Sequence, residues 1–340
     1  MKITIIEARN LCEKILTKKG VSISHARIIV DDYIEGELLG KETHGLLKFV
    51  SDYVQVISTQ GKKIVLEKNQ PAYALLNGNE QAGQIVAKNA RELVIKKAKK
   101  SGIAMVATYN STAFLRPGSQ AEYLSQHGLI GIVFENGGTP NVPTFSGIDP
   151  VIGTNPIGYA IPTNTDPIVA DLAISECAWG LGYVAKVLPQ NSFIDKNGQF
   201  TSDPKKMNAV LPFGRYKGFA LGLLFEILTG SLVGAGLGGQ KKFYNSTNVA
   251  TGKKLSRPYR GALFIAIDPS KFVSLKKFKL ENSNFLRHVK KSRRRNGFEK
   301  IVISGEISRS KKTKSLQRGW FDMRQETWKK LLHLKKVNSL

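Results

Sequence analysis

Between residues 147 and 180 the chain reads GIDPVIGTNPIGYAIPTNTDPIVADLAISECAWG, and Gly147, Pro150, Gly153, Pro156 and Pro162 interrupt it too often for a helix to form. Its backbone is expected to be short extended pieces joined by tight turns, with amides at the glycines free to hold a phosphate. Ile168 to Ala170 reads as a short apolar strand ending on a lone carboxylate, Asp171. The small residues Ala173, Ser175, Ala178 and Gly180 follow, as at a strand edge that delivers a polar group to a cleft. From these residues alone, a row of surface hairpin turns fits the punctuation equally well.

The remaining bounds are broad. A chain of 340 residues can bury a large core and exceeds the usual single-domain size, so one large or two interleaved domains are expected. No apolar run reaches the roughly 18 residues a membrane span needs, and Glu7, Arg9 and Glu13 interrupt the N-terminus where a signal peptide would be apolar, which points to the cytoplasm. Cys12 and Cys177 are the only cysteines, too few for a zinc module or a disulfide framework, and no metal site is expected. The net charge of +25 is uneven: residues 271 to 340 hold 21 Lys and Arg against 5 Asp and Glu, a balance of +16. Such a field attracts dinucleotides, carboxylates and nucleic acid alike. A nucleic-acid binder is disfavoured, because the basic region lacks interleaved aromatics at base-stacking density.

Helical spacing places helices over residues 3 to 18, from near Ser24 as cap, over 46 to 57 and over 84 to 100. IAMVAT, LIGIVFE and ALFIAID read as strands, with a helix through Ala121 to Gln126 between the first two. Gly214, Tyr216 and Lys217 lead into a long apolar helix from Phe219 to Leu232, and amides at a helix start beside a lysine suit a phosphate. Gly234 to Gly239 satisfies G-x-G-x-x-G, but a helix precedes it and a polar stretch follows, so it reads as a helix terminus and mobile loop. Asp268-Pro269-Ser270 resembles a helix cap. RQETWKKLLHLKK forms a final helix that packs on the N-terminal unit, and the run 290 to 295 is solvated or lies against phosphate.

Six segments in order carry a resemblance. GIDPVIGTNPIGYAIP with IVADLAIS, THG at 43 to 45, YNSTAF at 109 to 114, HGLIGIVFENGG at 127 to 138, LPFGRYKG at 211 to 218 and SGE at 304 to 306 are similar to the malate/L-lactate dehydrogenase family that does not use a Rossmann fold, with its ureidoglycolate, sulfolactate and diketogulonate relatives. The resemblance implies an α+β fold. A helical domain would be built from 1–75 plus 285–340, and an NAD(P)-binding domain with a mostly antiparallel sheet from 76–284. It implies a homodimer, NAD or NADP as cofactor and a small 2-oxo or 2-hydroxy acid as substrate. His44 would exchange a proton with the substrate oxygen, a task suited to its unperturbed pKa of about 6.5. Thr43, Lys48, Tyr53 and Arg116 would meet the substrate. Asn110, Gly153, Thr154, Asn155, Asp171, Ser175, Tyr216, Lys217, Ser304, Gly305 and Glu306 would meet the cofactor.

The chain also departs from its relatives. Ala113 stands where most carry a second histidine, Leu115 where they carry glycine and Lys48 where they carry arginine. Tyr53 lies one position later than the family's tyrosine. Arg116 is either a replacement cation or a plain surface arginine. The stretch after Gly180 is several residues shorter than in the family. A cofactor-binding relative with lost or altered catalysis is therefore the alternative reading.

Overall fold

Thr4 ends a three-residue strand and turns the chain into a helix, its hydroxyl accepting from the Glu7 amide at 3.1 Å. The computed structural model describes all residues except 59–61, 239–242, 248–253 and 338–340. In chain order the elements are β1 (Lys2–Thr4), α1 (Ile5–Thr17), α2 (Ile23–Leu38), a 3-10 turn (Glu42–His44), α3 (Leu46–Ser58), β2 (Val65–Asn69), β3 (Tyr73–Asn77), α4 (Gly83–Ser101), β4 (Ile103–Ser111), α5 (Pro117–Gln126) and β5 (Ile130–Glu135). Then come β6 (Val142–Pro143), β7 (Pro150–Ile152), β8 (Ile157–Ile161), β9 (Ile168–Leu172), β10 (Phe193–Ile194), β11 (Ala209–Val210) and α6 (Tyr216–Thr229). The chain closes through β12 (Phe243–Thr247), β13 (Lys254–Pro258), β14 (Arg260–Ile267), α7 (Leu275–Lys290), α8 (Glu306–Arg318), β15 (Trp320–Asp322) and α9 (Gln325–Val337).

A seven-stranded sheet runs β2-β3-β4-β14-β5-β8-β9. Only β3 and β4 are parallel, bridged by the crossover helix α4, and the other pairings in the sheet are antiparallel. Alternation along β14 sends Ala262, Phe264 and Ala266 to the face covered by α4 and α5, and Leu263 to the face covered by α6 and the 142–213 segment. The chain ends meet: β1 pairs with β15, and one core gathers Leu11, Ile15, Tyr33, Phe49, Trp328 and Leu331. This mixed α+β architecture matches the expected class.

Several local expectations shift. The cap of α2 is Ser22, two residues before Ser24, because its oxygen accepts from the His25 amide at 3.3 Å. Asp268 caps only a 3-10 turn, and the helix that follows, α7, starts later on Ser274. The glycine-rich segment follows α6 and precedes β12, so no strand feeds it; Gly239 and the polar residues after it lie partly outside the described residues. Residues 291–300 after α7 are exposed.

Two glycine contacts place the THG turn. A Cβ on Gly36 of α2 would overlap the His44 carbonyl, and one on Gly45 would overlap the Glu37 carboxyl. Glu37 in turn accepts from the Leu46 amide at 2.6 Å and so caps α3. The turn therefore lies flat on α2.

The Asn110-to-Arg116 segment is pinned from below. Glu135 at the end of β5 is buried and accepts from the Phe114 amide at 3.0 Å. Burial pushes its carboxyl up to about 7, against the pull of Arg260. A carboxyl whose folded pKa is raised contributes stability below its unfolded pKa and loses it as pH rises through about 7. Glu135→Gln keeps an acceptor without the charge. Urea unfolding should show it stabilising the protein more at pH 8 than at pH 5, by about 2 kcal/mol; an equal effect at both pH values would mean that burial does not raise the Glu135 pKa.

Candidate active site

Asp171 is the meeting point of the site. It leaves β9 at the sheet edge, where its Oδ1 accepts from the Gly118 amide in the first turn of α5 at 3.0 Å. An unpaired amide at a helix start favours such an anion. The other oxygen, Oδ2, is paired with Lys41 Nζ from the residue just before the 3-10 turn. The Lys41 carbonyl accepts from the His44 amide at 2.9 Å, so the ion pair ties the THG turn to β9.

His44 is half-buried at the end of this turn, its Nδ1 3.1 Å from Thr43 Oγ1. Burial is the largest influence and pulls its pKa from 6.5 down to about 4; Asp171 opposes this, while Lys41, Arg116 and Lys48 add to it. The imidazole of the free protein is therefore neutral at neutral pH and able to accept a proton. That corrects the expectation of an unperturbed histidine.

Each surrounding cation has its own carboxylate. Lys48, half-buried, pairs with Asp52, which also accepts from the Tyr33 hydroxyl at 3.0 Å. Tyr53 is packed in the helical core. Arg116 is not a surface residue: it is 1% exposed, and its Nη2 donates to the Asp32 carbonyl at 2.7 Å, Asp32 Oδ1 at 2.8 Å and Glu35 Oε2 at 3.1 Å. Its Nη1 and Nε are buried without a hydrogen-bond partner. Burial raises Asp32 to about 6 despite Arg116. Burial also acts against the charge of Glu35, but Arg116 and Lys312 outweigh it and hold that carboxyl at about 2.

The segment after β9 links this cluster to the other expected positions. Gly180 abuts the Thr43 side chain, and Ser175 bridges to Pro212, with the Phe213 amide bonded to the Ile174 carbonyl at 2.9 Å. That pairing carries LPFG alongside β9 and sets the exposed Tyr216 and Lys217 at the start of α6. Gly153 and Thr154 approach Gly137, and the Ile174 amide donates to the Thr154 carbonyl. Asn155 is fully buried: it accepts from Gly137 N at 2.7 Å and donates to Gly222 O and to Glu226 Oε2. At the other end of β9, Val169 N bonds Ser304 O, and Gly305 in the left-handed region starts α8 against Val169.

Asn110 lies apart, at the end of β4, where it donates to Asn77. Four strand spacings, roughly 19 Å, separate β4 from β9 in the sheet. Lys41 was not singled out from sequence, although it stands three residues before His44 in the same KETHG run. Its partner is 130 residues away, and only the fold brings them together.

The residues present suit a dinucleotide. Lys217, exposed at the start of α6, offers a cation for phosphate. A hollow of about 430 Å³ at the Ile168 end of β9 is lined by Asn164, Arg287, Lys290, Ser304, Glu306 and Arg309. Asn136, fully buried beside Gly137, has a side-chain amide nitrogen with no partner. Ile168 and Asp171 lie three residues apart, roughly 10 Å along the strand, so hollow and histidine flank one edge. No helix among the described residues is long and apolar enough to cross a membrane, and no group of three or more metal-ligating side chains occurs among them.

Comparison with known proteins identifies the relatives of the chain. The model of the malate/L-lactate dehydrogenase family matches residues 3–332. The malate/(S)-sulfolactate dehydrogenase of Methanothermus fervidus is 36% identical over 296 residues, covering 84% of each chain. The NAD(+) ureidoglycolate dehydrogenase of Escherichia coli is 29% identical over 329 residues, 94% of this chain and 92% of that one. Among solved structures, the sulfolactate dehydrogenase from Methanocaldococcus jannaschii superposes with a TM-score of 0.88 at 31% identity, covering 100% of this chain and 98% of the other.

The buried Arg116 cluster makes a stability prediction. Arg116→Met removes the shared donor of Asp32 and Glu35 and should lower unfolding free energy by about 3 to 5 kcal/mol in urea titrations, with Arg116→Lys recovering part. A loss below about 1 kcal/mol would show the pair to be dispensable.

Proposed function

The chain belongs to the malate/L-lactate dehydrogenase family, and from that premise we propose that it exchanges a hydride between a small 2-hydroxy acid and NAD(P), with His44 as the proton carrier. The observation that carries this reading is a half-buried, neutral imidazole in the turn that Lys41 ties to Asp171, under the influence of that carboxylate and of three cations. A bound nicotinamide would supply the acceptor for the hydride of the carbinol carbon. His44 takes the hydroxyl proton as that hydride leaves, and in the reverse direction its protonated form returns the proton to the ketone oxygen. Lys41 and Lys48 make the cleft attractive to the substrate carboxylate. Arg116 contributes positive potential from a fixed, buried position. Lys217, Ser175, Asn136 and the Ser304-to-Glu306 segment hold the dinucleotide along β9.

The second copy expected of a homodimer covers α6. This helix leaves Leu221, Leu223, Leu224 and Ile227 exposed by 41 to 50%, with Leu232 just beyond it at 62%, an apolar surface that favours burial. Leu224→Glu combined with Ile227→Glu should move the sedimentation coefficient from dimer to monomer. A double variant that sediments unchanged would place the interface elsewhere.

The catalytic reading is tested by absorbance of NADH and NADPH against a panel of 2-oxo acids, and by 2-hydroxy acid oxidation, with His44→Asn beside wild type. The variant should lose about 10² to 10⁴ in turnover and keep dinucleotide affinity within about threefold. For oxidation, wild-type kcat/KM should fall only as pH drops through about 4, where His44 becomes protonated, and not near 6.5. A variant that retains its rate on the best substrate removes His44 from the chemistry.

A further inference from the structure

We propose that Lys41 is a positioning residue that exchanges partners on substrate binding: it pairs with Asp171 in the empty cleft and moves to the incoming carboxylate, leaving Asp171 to face His44 uncompensated. This rests on the 2-hydroxy acid reading above. Three cations influence His44, and their anchors differ. Arg116 is locked by Asp32 and Glu35, both on α2, and Lys48 by Asp52 one turn along its own helix. Lys41 alone among the three is paired with the carboxylate that opposes the fall in His44 basicity.

The two partners are unequally fixed. Asp171 is held by the Gly118 amide, and a Cβ on Gly118 would overlap the Asp171 side chain, so strand and helix trap the carboxylate. Lys41 reaches it on a flexible four-carbon stem, half-buried, from the turn that carries His44. A competing carboxylate therefore moves the lysine and not the aspartate. The groups facing His44 are Asp171 from β9, Lys41 and Thr43 from its own turn, Lys48 from α3, and Arg116 from the segment before α5, while Glu37 of α2 lies under Gly45. Glu42 in the same turn is paired with Arg324.

The consequence is linkage between substrate charge and proton uptake. In the empty site Lys41 cancels Asp171, and His44 stays neutral. When the lysine turns to the substrate carboxylate, Asp171 favours the imidazolium, so the protonated fraction of His44 rises when a 2-oxo acid binds. A neutral ligand of the same shape leaves the lysine in place.

The experiment follows the His44 ring signal by NMR titration, assigned by its loss in His44→Asn, in wild type, Lys41→Met and Lys41→Arg, each with and without oxamate in the presence of reduced dinucleotide. In the free protein Lys41→Met should raise the His44 pKa by about one unit or more, a tenfold change in its protonation at fixed pH, and Lys41→Arg should stay near wild type. Oxamate should raise the pKa in wild type but not in Lys41→Met. A Lys41→Met pKa equal to that of wild type, or oxamate that leaves the wild-type pKa unchanged, overturns the proposal. Should Lys41→Met fail to fold, Lys41→Gln serves in its place. Absence of turnover with every 2-hydroxy acid would count against the functional reading, whereas the free-protein titration judges the Lys41 coupling whatever the turnover.

Discussion

Two stretches of backbone touch where α5 begins, and the candidate site depends on that contact. A Cβ on Gly158 of β8 would overlap the Pro117 and Gly118 backbone, and one on Gly118 would overlap Asp171. With no side chain at either position, the first turn of α5 lies directly on the edge of the sheet, and a free helix amide reaches the carboxylate at the end of β9. Any larger residue would lift the helix and leave Asp171 held only by Lys41. The carboxylate then has no fixed position, and the THG turn has no anchor on the sheet.

The same compactness sets the chemistry of His44. Removal from water disfavours the imidazolium more than one neighbouring carboxylate can repair, since Lys41, Lys48 and Arg116 contribute charge of the opposite sign. A neutral imidazole keeps a ring nitrogen able to accept a proton, and the lowered pKa makes it a weaker base than a solvated histidine. Placing the cations on separate carboxylates keeps the empty cleft from being a bare concentration of positive charge, while the whole-chain balance of +25 draws anions toward it.

Motifs located the pieces of this site, but not their roles. THG, the ADLA run and LPFGRYKG are short segments whose glycines and polar residues stand out in sequence, and the structure brings these three around one strand edge. The helix limits of α3 and α4 followed from periodicity, and the short strands and turns of 147–180 from its glycines and prolines. What could not be read was long-range. The Arg116 ion pairs join positions 84 and 81 residues apart, and an arginine next to a proline gives no sign of being buried. No residue of α7 or α8 is buried; the helix expected after Asp268 is α7, starting later on Ser274, whereas α8 has no apolar stripe that its sequence could show. The lowered pKa of His44 is not legible in the motif, because its burial and the charges of Asp171 and Arg116 are supplied by the fold.

Leu115 shows how far the departures from the family reach. It holds φ 73, a conformation that glycine adopts freely and leucine adopts at a cost of about 1 to 2 kcal/mol. Its side chain is 6% exposed, and burial of a leucine returns about 1.5 to 3 kcal/mol, enough to keep the glycine-like path. The backbone from Asn110 to Pro117 thus turns as a glycine would turn it, with Glu135 fixing Phe114 and Arg116 driven inward to α2. The change at Ala113 is confined to a side chain. His127 is bonded to the Tyr123 carbonyl at the end of α5, and His25, His288 and His333 lie on α2, α7 and α9. With Ala113 in place of an imidazole, His44 is the histidine that shares a turn with Lys41 and feels the charge of Asp171, and under the proposed function it is the one left to carry the proton.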